Sequence, residues 1–148
     1  MVLLDENIIE QLNNSFNTNV KDLINILKEI TINKKDLDEL IFDDLNDDYK
    51  KYKLYSNDNY EIIIIKWFKN HETPVHQHPQ NGCLLKVLYG RLTEHQYIFN
   101  TKNIKKLGEA YLTKNDISYI DDDICFHKIE CTKDAYSLHI YSPPGFYD

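Results

Sequence analysis

Hydrophobic residues along the chain follow two different periods, and the change falls near residue 49. Before it, apolar residues recur three or four positions apart, which is the spacing of amphipathic helices. They are Ile9, Leu12, Phe16, Val20, Leu23, Ile24, Leu27, Leu37, Leu40, Ile41 and Leu45. Polar breaks at 17–19, where Thr18 or Asn19 could cap a helix, and at 31–33 divide this pattern. Residues 1–48 are therefore predicted to form a cap of two or three short helices, ending in a polar turn at 43–48.

Beyond Tyr49 the chain consists of short segments rich in Ile, Val, Leu and Tyr, separated by Asn, Asp, Gly and Pro. This texture is typical of an all-β domain. Strands are predicted at 49–55, 60–68, 74–78, 83–89, 91–99, 109–112, 117–120, 126–130 and 136–141. Gly90 is expected to mark a tight turn or bulge, and Pro143-Pro144 to terminate the last strand. The pattern predicts a mainly β fold, a small barrel or sandwich with a helical N-terminal cap.

Length and composition narrow the class of protein. The chain has 148 residues, 42% hydrophobic and 28% charged, which indicates one folded domain. A net charge of −7 with a single arginine, Arg91, argues against a nucleic-acid partner. The longest aliphatic run, residues 62–65, is too short to span a membrane, and the acidic N-terminus does not resemble a secretory signal. We expect a cytoplasmic monomer whose three cysteines are reduced, because their odd number and spacing fit neither a disulfide framework nor paired zinc knuckles.

A pair of histidines, His76-Gln77-His78, is the first candidate for chemistry. In a strand, residues i and i+2 point to the same face, so both imidazoles could share one metal ion. A third ligand is then needed, and His127 lies in an apolar, strand-like stretch that a barrel could bring across. The alternative is a solvated strand edge on which two histidines happen to lie.

The second candidate is the segment Ser137-Leu138-His139-Ile140-Tyr141. Alternation along a strand places Ser137, His139 and Tyr141 on one face. If this face points inward, Ser137 and His139 would orient the Tyr141 hydroxyl through a buried hydrogen-bond network. The alternative is an outer sheet face exposed to water.

Several motifs together resemble a known family. Residues 67–92, in which His76-Gln77-His78 is followed after four residues by Cys83, resemble the centre of cysteine dioxygenase, a thiol dioxygenase family of the cupin superfamily. Residues 119–130 resemble the family segment that holds its third iron ligand, and residues 137–144 resemble its closing strand. The resemblance covers about 49–144. It implies a single domain, in which the cap at 1–48 precedes a cupin-type, jelly-roll-like β-barrel at 49–144.

The resemblance also implies that His76, His78 and His127 bind one ferrous ion, Fe(2+). Three nitrogens leave up to three positions open on an octahedral ion, enough for a chelating thiolate and amine and for dioxygen. The same three histidines would hold zinc, which has no redox chemistry, so the choice of iron rests on the resemblance.

In the animal enzymes of this family, the positions of Cys83 and Tyr141 form a thioether crosslink. The resemblance implies such a crosslink here, which would hold the phenol rigidly beside the metal. The alternative for Cys83 is a small buried core residue. Cys125 and Cys131 match no family role and are predicted to be structural, and Trp67 is predicted to pack near the site.

One position departs from the family pattern. The family places an arginine two residues after a tyrosine to bind the substrate carboxylate, and here the segment reads Tyr49-Lys50-Lys51. Lys51 is the best candidate for this role, assisted by Tyr49. A lysine neutralises a carboxylate but cannot form the bidentate fork of arginine. The alternative for Lys50-Lys51 is a solvated charge run.

These implications lead to one main hypothesis and two rivals. The main hypothesis is an iron-dependent thiol dioxygenase that converts L-cysteine and O2 to cysteine sulfinic acid. The first rival is a dioxygenase for another small thiol such as 3-mercaptopropionate, which the missing arginine favours and Cys83 disfavours. The second is a non-catalytic cupin module in which the three histidines hold a metal such as zinc or nickel.

Overall fold

The computed structural model describes residues 3–42, 49–99 and 102–147, so the polar turn predicted at 43–48 lies outside the described residues. In these ranges three short helices precede the strands: α1 (Glu6–Ser15), α2 (Ile24–Glu29), which continues from a 3₁₀ turn at Val20–Leu23, and α3 (Lys34–Asp38). The strands are β1 (Tyr49–Ser56), β2 (Glu61–Trp67), β3 (Cys83–Phe99), β4 (Ile104–Leu112), β5 (Ile117–Ile120) and β6 (Phe126–Tyr141). None of the described helices is long and apolar enough to cross a bilayer. The predicted order of a helical cap and then a β domain is confirmed.

Polar side chains cap the helices near the predicted breaks. At the start of α1, of the 3₁₀ turn and of α3, a backbone N–H donates to a side-chain oxygen of Asp5, Asn19 and Asn33 respectively. These contacts satisfy amides that have no partner within the helix. The third helix is shorter than predicted and ends at Asp38. Ile41 beyond it is 81% exposed, so another turn would bury little apolar surface, and Leu45 lies outside the described residues.

All strand pairs are antiparallel, in the order β1-β2-β6-β3-β4, and β5 pairs with the first part of β3. Four predicted strands merge into two long ones, because 83–89 and 91–99 join as β3, and 126–130 and 136–141 join as β6. Gly90 forms the predicted bulge, with φ of 87°. A Cβ there would lie 2.1 Å from the Asp134 carbonyl oxygen, so glycine lets β3 approach β6. β1 and β4 end the strand order, so within the described part of the chain the sheet does not close.

At β2 the sheet is buried on both faces, whereas β4 at its edge is mostly exposed. Ile62 and Ile64 of β2 pack with the helical cap in one core, whereas Ile63 and Ile65 pack with Trp67 in a second core on the opposite face. Because side chains alternate along a strand, four consecutive isoleucines serve both cores. The cap covers one face of the sheet, and the second face is left to form the candidate site.

The prediction of a strand at 74–78 is wrong. Within it, His76 forms an isolated bridge with His127, and no continuous ladder follows. Pro74 and Pro79 have no N–H to donate, and they therefore interrupt regular pairing. The segment runs as a loop along the edge of the first half of β6.

Candidate active site

A loop and a strand bring three imidazoles together. His76 and His78 project from the loop before β3 and His127 from the start of β6, and one ring nitrogen of each lies within 4.8 Å of the others. The His76 backbone N–H donates to the His127 carbonyl at 2.9 Å, which ties the loop to β6. The structure therefore brings together the three histidines proposed as metal ligands. His76 and His78 lie on a loop, so strand alternation does not place them.

The second nitrogen of each ring faces a hydrogen-bond acceptor. The partners of the Nδ1 atoms are Glu94 for His127 at 3.0 Å, Asp122 for His78 at 3.2 Å and the Pro74 carbonyl for His76 at 3.0 Å. A ring nitrogen that faces a carboxylate or carbonyl carries the hydrogen of a neutral imidazole. Each Nε2 is then left with a bare lone pair, which is the arrangement that orients histidine toward a metal.

These lone pairs test whether a metal fits the site. His78 Nε2 is buried and has no hydrogen-bond partner among the described residues. The Nε2 atoms of His76 and His127 are 2.9 Å apart, and two bare lone pairs at that distance repel. A cation removes both problems, because a metal ion bound by imidazole nitrogens at about 2.1 Å holds them roughly 3 Å apart. The residues therefore fit a single transition-metal ion.

Burial keeps the loop histidines neutral. Desolvation lowers the pKa of His76 to about 4 and that of His78 to about 2, and His127 acts in the same direction. Neutral imidazole is the form that binds metals. Burial alone would raise the pKa of Glu94, but the hydrogen bond from His127 lowers it, so Glu94 places a carboxylate behind His127.

A pocket of about 210 Å³ opens beside the histidines. It is lined by Tyr49, Lys51, Ile65, Trp67, Thr73, Pro74, His76, Cys83, His127, Ile129, His139, Tyr141 and Tyr147. Apolar walls with a few convergent polar groups are typical of small-molecule sites. The volume suits a ligand of only a few non-hydrogen atoms.

The polar face of β6 is buried and lies on the pocket side. Ser137, His139 and Tyr141 are 0%, 4% and 5% exposed, which excludes the alternative of an outer face. The Trp67 indole N–H donates to Ser137 Oγ at 2.7 Å. Ser137 Oγ lies 2.6 Å from His139 Nε2, and the Tyr141 hydroxyl lies 3.0 Å from His139 Nδ1. The four side chains form one continuous hydrogen-bond chain.

Trp67 fixes the direction of the first bond in this chain, because indole can only donate. Ser137 Oγ accepts from Trp67, so its own hydrogen is available for His139 Nε2. Burial lowers the pKa of His139 well below its usual value, so the ring is neutral. When Ser137 donates to Nε2, the one ring hydrogen lies on Nδ1 and faces the Tyr141 oxygen. The Tyr141 hydrogen is then free to point into the pocket, and burial raises the pKa of Tyr141, which keeps it a donor.

Cys83 and Tyr141 are directly paired residues on the adjacent strands β3 and β6. Both are buried and both line the pocket, and the crosslink between them stays a prediction. Burial raises the pKa of the Cys83 thiol. Cys125 and Cys131 are buried away from the pocket lining.

Lys51 and Tyr49 lie on the pocket face of β1. Their register partners on β2 are Ile65 and Trp67, whose side chains belong to the core beside the site. Lys50 falls on the opposite face by alternation. Lys51 lines the pocket, which is not the position of a solvated charge run, and its Nζ lies 5.6 Å from the centroid of the Tyr49 ring.

Sequence reasoning missed three residues of the site. Glu94 is buried, and its position inside a predicted strand was its signal in the sequence. Asp122 belongs to an acidic run that reads as a turn. Tyr147 carries no sequence signal, yet it lines the pocket.

Comparisons with known proteins agree with the resemblance. The model of the family cysteine dioxygenase type I matches residues 5–147. Cysteine dioxygenase type 1 of Danio rerio is 28% identical over 143 residues, covering 92% of this chain and 71% of the relative. The Homo sapiens protein of the same name is 35% identical over 94 residues, covering 60% of this chain and 47% of the relative. The match therefore covers about half the length of this human relative.

Similarity extends to a dioxygenase for a second thiol and to a solved cupin structure. A probable 2-aminoethanethiol dioxygenase of Dictyostelium discoideum is 36% identical over 74 residues, covering 49% of this chain and 34% of that protein. An RmlC-like cupin of Shewanella frigidimarina has a TM-score of 0.56 at 19% identity, covering 74% of this chain and 88% of that one, which confirms the cupin-type fold. Because the family match includes the helical cap as well as the sheet, this chain belongs to the cysteine dioxygenase type I family.

Proposed function

We propose that this protein is an iron-dependent thiol dioxygenase that converts L-cysteine and O2 to cysteine sulfinic acid. The observation that carries the proposal is the convergence of three imidazoles, each with Nδ1 facing an acceptor, beside a small pocket. The names of the relatives, which include dioxygenases for two different thiols, support the same class of reaction.

His76, His78 and His127 would hold the ferrous ion. Iron, when bound, supplies the redox chemistry and the open coordination positions at which thiol and dioxygen meet. The net reaction, R–SH + O2 → R–SO2H, places both oxygen atoms on sulfur, so the thiol is the reductant and no external one is required. Glu94 and Asp122 keep two of the rings in the tautomer that presents Nε2.

The remaining pocket residues bind and orient the substrate. Lys51 neutralises the carboxylate of cysteine, with Tyr49 beside it. At the other side Tyr141, held by His139 and Ser137, directs its hydroxyl hydrogen toward the oxygen atoms that arrive on sulfur. A thioether bond from Cys83 would hold this phenol in place.

A dioxygenase for another small thiol is the second candidate. Lys51 offers one cation and no bidentate fork, which favours 3-mercaptopropionate as a substrate with a carboxylate and no amine. The ammonium group of 2-aminoethanethiol would meet the like charge of Lys51, so we expect that thiol to be a poor substrate. The third candidate, a non-catalytic metal-binding module, would bind iron without consuming oxygen.

Oxygen uptake by the ferrous-loaded protein tests the proposal. L-cysteine, 3-mercaptopropionate and 2-aminoethanethiol are compared, with His78→Ala as the inactive variant and His71→Ala as a matched control outside the site. We expect a product heavier than cysteine by two oxygen atoms, both derived from labelled dioxygen. Product from 3-mercaptopropionate alone would move the assignment to the second candidate. Bound iron without uptake with any of the three thiols would refute the dioxygenase.

A further inference from the structure

The chain after β6 turns back over the pocket. The Gly145 N–H donates to the buried Glu61 carboxylate at 3.1 Å, which anchors the turn to β2. Two residues later the Tyr147 hydroxyl donates to the Gln77 carbonyl at 2.8 Å. Because Gln77 lies between the two loop histidines, Tyr147 joins the C-terminal segment to the loop that carries two candidate metal ligands.

The ring of Tyr147 forms part of the pocket wall. Its centroid lies 5.7 Å from the His76 ring and 4.8 Å from the Tyr141 ring, and both contacts are edge-on, at 86° and 71°. Such aromatic contacts are favourable at these separations. Removing the ring would enlarge the pocket between the metal site and the phenol donor.

Tyr147 also contacts the cation of the pocket. Lys51 Nζ lies 5.6 Å from the Tyr49 ring centroid and 5.7 Å from that of Tyr147, inside the range of about 6 Å for a cation–π interaction. The lysine side chain is long and flexible, so two rings on different elements restrict where its ammonium group can lie.

The charge of Lys51 remains available to a ligand. Among the described residues that line the pocket none is acidic, and Lys51 is the single lysine or arginine. An aromatic ring attracts a cation without neutralising its charge. The pair of rings therefore orients the ammonium group and leaves it to bind an anion.

We propose that Tyr147 is a specificity-determining residue, which positions the Lys51 ammonium group and closes the pocket so that thiols with a carboxylate are selected. The inference rests on the proposed function and deepens it, because it assigns the substrate class to a contact between Lys51 and the C-terminal segment.

The first test is kinetic and compares Tyr147→Leu with Tyr147→Phe. Leucine removes the ring, and we expect KM for L-cysteine and 3-mercaptopropionate to rise about tenfold, whereas KM for 2-aminoethanethiol changes less than about twofold. Phenylalanine keeps the ring, so its effect should stay within about threefold. Tyr111→Leu, an exposed tyrosine on β4, is the matched control. An equal rise in KM for all three thiols would overturn the inference.

A double-mutant cycle separates positioning from a direct contact. Because Tyr147 acts through Lys51, Tyr147→Leu should change KM for the carboxylate thiols by less than about twofold in a Lys51→Met background. Independent, multiplying effects of the two substitutions would overturn the inference. Tyr147→Gln carries the same expectations if the leucine variant does not fold.

A binding measurement distinguishes this inference from the catalytic proposal. Trp67 is the only tryptophan and lines the pocket, so its fluorescence can report 3-mercaptopropionate binding to the zinc-loaded protein, which has no turnover. Tyr147→Leu should weaken this Kd about tenfold and leave that for 2-aminoethanethiol within about twofold. If no thiol is oxidised and this shift is found, the dioxygenase fails and the inference stands. If turnover is normal and Kd does not shift, the inference fails alone.

Discussion

Replacing Ser137 with alanine would break the hydrogen-bond chain behind Tyr141 at its centre. Ser137 Oγ lies 2.7 Å from the Trp67 indole nitrogen and 2.6 Å from His139 Nε2, and the residue is fully buried. Both partners would lose a hydrogen bond where the surrounding protein excludes water. Each buried group without a partner costs about 1–3 kcal/mol. The free energy of unfolding should therefore fall by about 2–6 kcal/mol.

The same substitution should also change the hydrogen on Tyr141. Without the Ser137 hydroxyl, His139 can carry its proton on Nε2, and Nδ1 then accepts from Tyr141 and turns the phenol hydrogen away from the pocket. In the native protein the hydrogen bond from Ser137, a buried neutral bond worth about 1–1.5 kcal/mol, favours the tautomer with the hydrogen on Nδ1. Losing it brings the two tautomers to similar populations, so the competent fraction, and with it kcat, should fall about twofold with little change in KM.

Two measurements are required for Ser137→Ala. Urea unfolding followed by Trp67 fluorescence gives the free energy of unfolding, and oxygen uptake gives kcat and KM. Ser56→Ala, at the exposed end of β1, is the matched control. A destabilised variant with unchanged kcat would show that the chain is only structural. Unchanged stability would refute the buried hydrogen bonds themselves.

Three further predictions concern buried or capping charges. Lys86 donates to three carbonyls at the end of α2. Lys86→Met should therefore lower the free energy of unfolding by about 1–3 kcal/mol, measured by urea titration. The loss is limited because the variant no longer buries an ammonium group. Backbone hydrogen bonds, of which the one from the Thr18 N–H has the largest effect, lower the pKa of Asp22. The contribution of this carboxylate to stability is therefore present above the unfolded pKa of 3.8 and is lost as pH falls through the folded value. Asp22→Asn should therefore lower Tm more at pH 7 than at pH 2, and an equal loss at both would contradict this reasoning. Glu94→Gln weakens the acceptor behind His127 and should lower metal affinity about 10–100-fold in competition with a chelator.

Local patterns predicted the fold wherever one residue period held over a whole element. Four isoleucines in β2 and the spacing of apolar residues before residue 30 are local signals, and both appear in the structure. The breaks were less predictable. A bulge at Gly90 reads as the end of a strand, although pairing with β6 continues past it. The loop at 74–78 has strand-like residues, but its prolines prevent a ladder.

The candidate site divides in the same way between local and distant contacts. Short spacings within a segment were enough to predict the pair His76 and His78, and likewise the shared face of Ser137 and His139. Tyr147, by contrast, acquires its position from a hydrogen bond to a carbonyl 70 residues earlier in the chain. No residue period encodes such a contact, so sequence reasoning could not place it.

β6 carries His127 at its second position and Tyr141 as its last, and its second half lies between β2 and β3. Backbone amides in a strand paired on both sides exchange with solvent mainly when the whole unit opens. One strand therefore fixes the distance between the metal site and the phenol donor for as long as the sheet is intact. On heating, hydrogen exchange of β6 and loss of the pocket should occur in the same cooperative event.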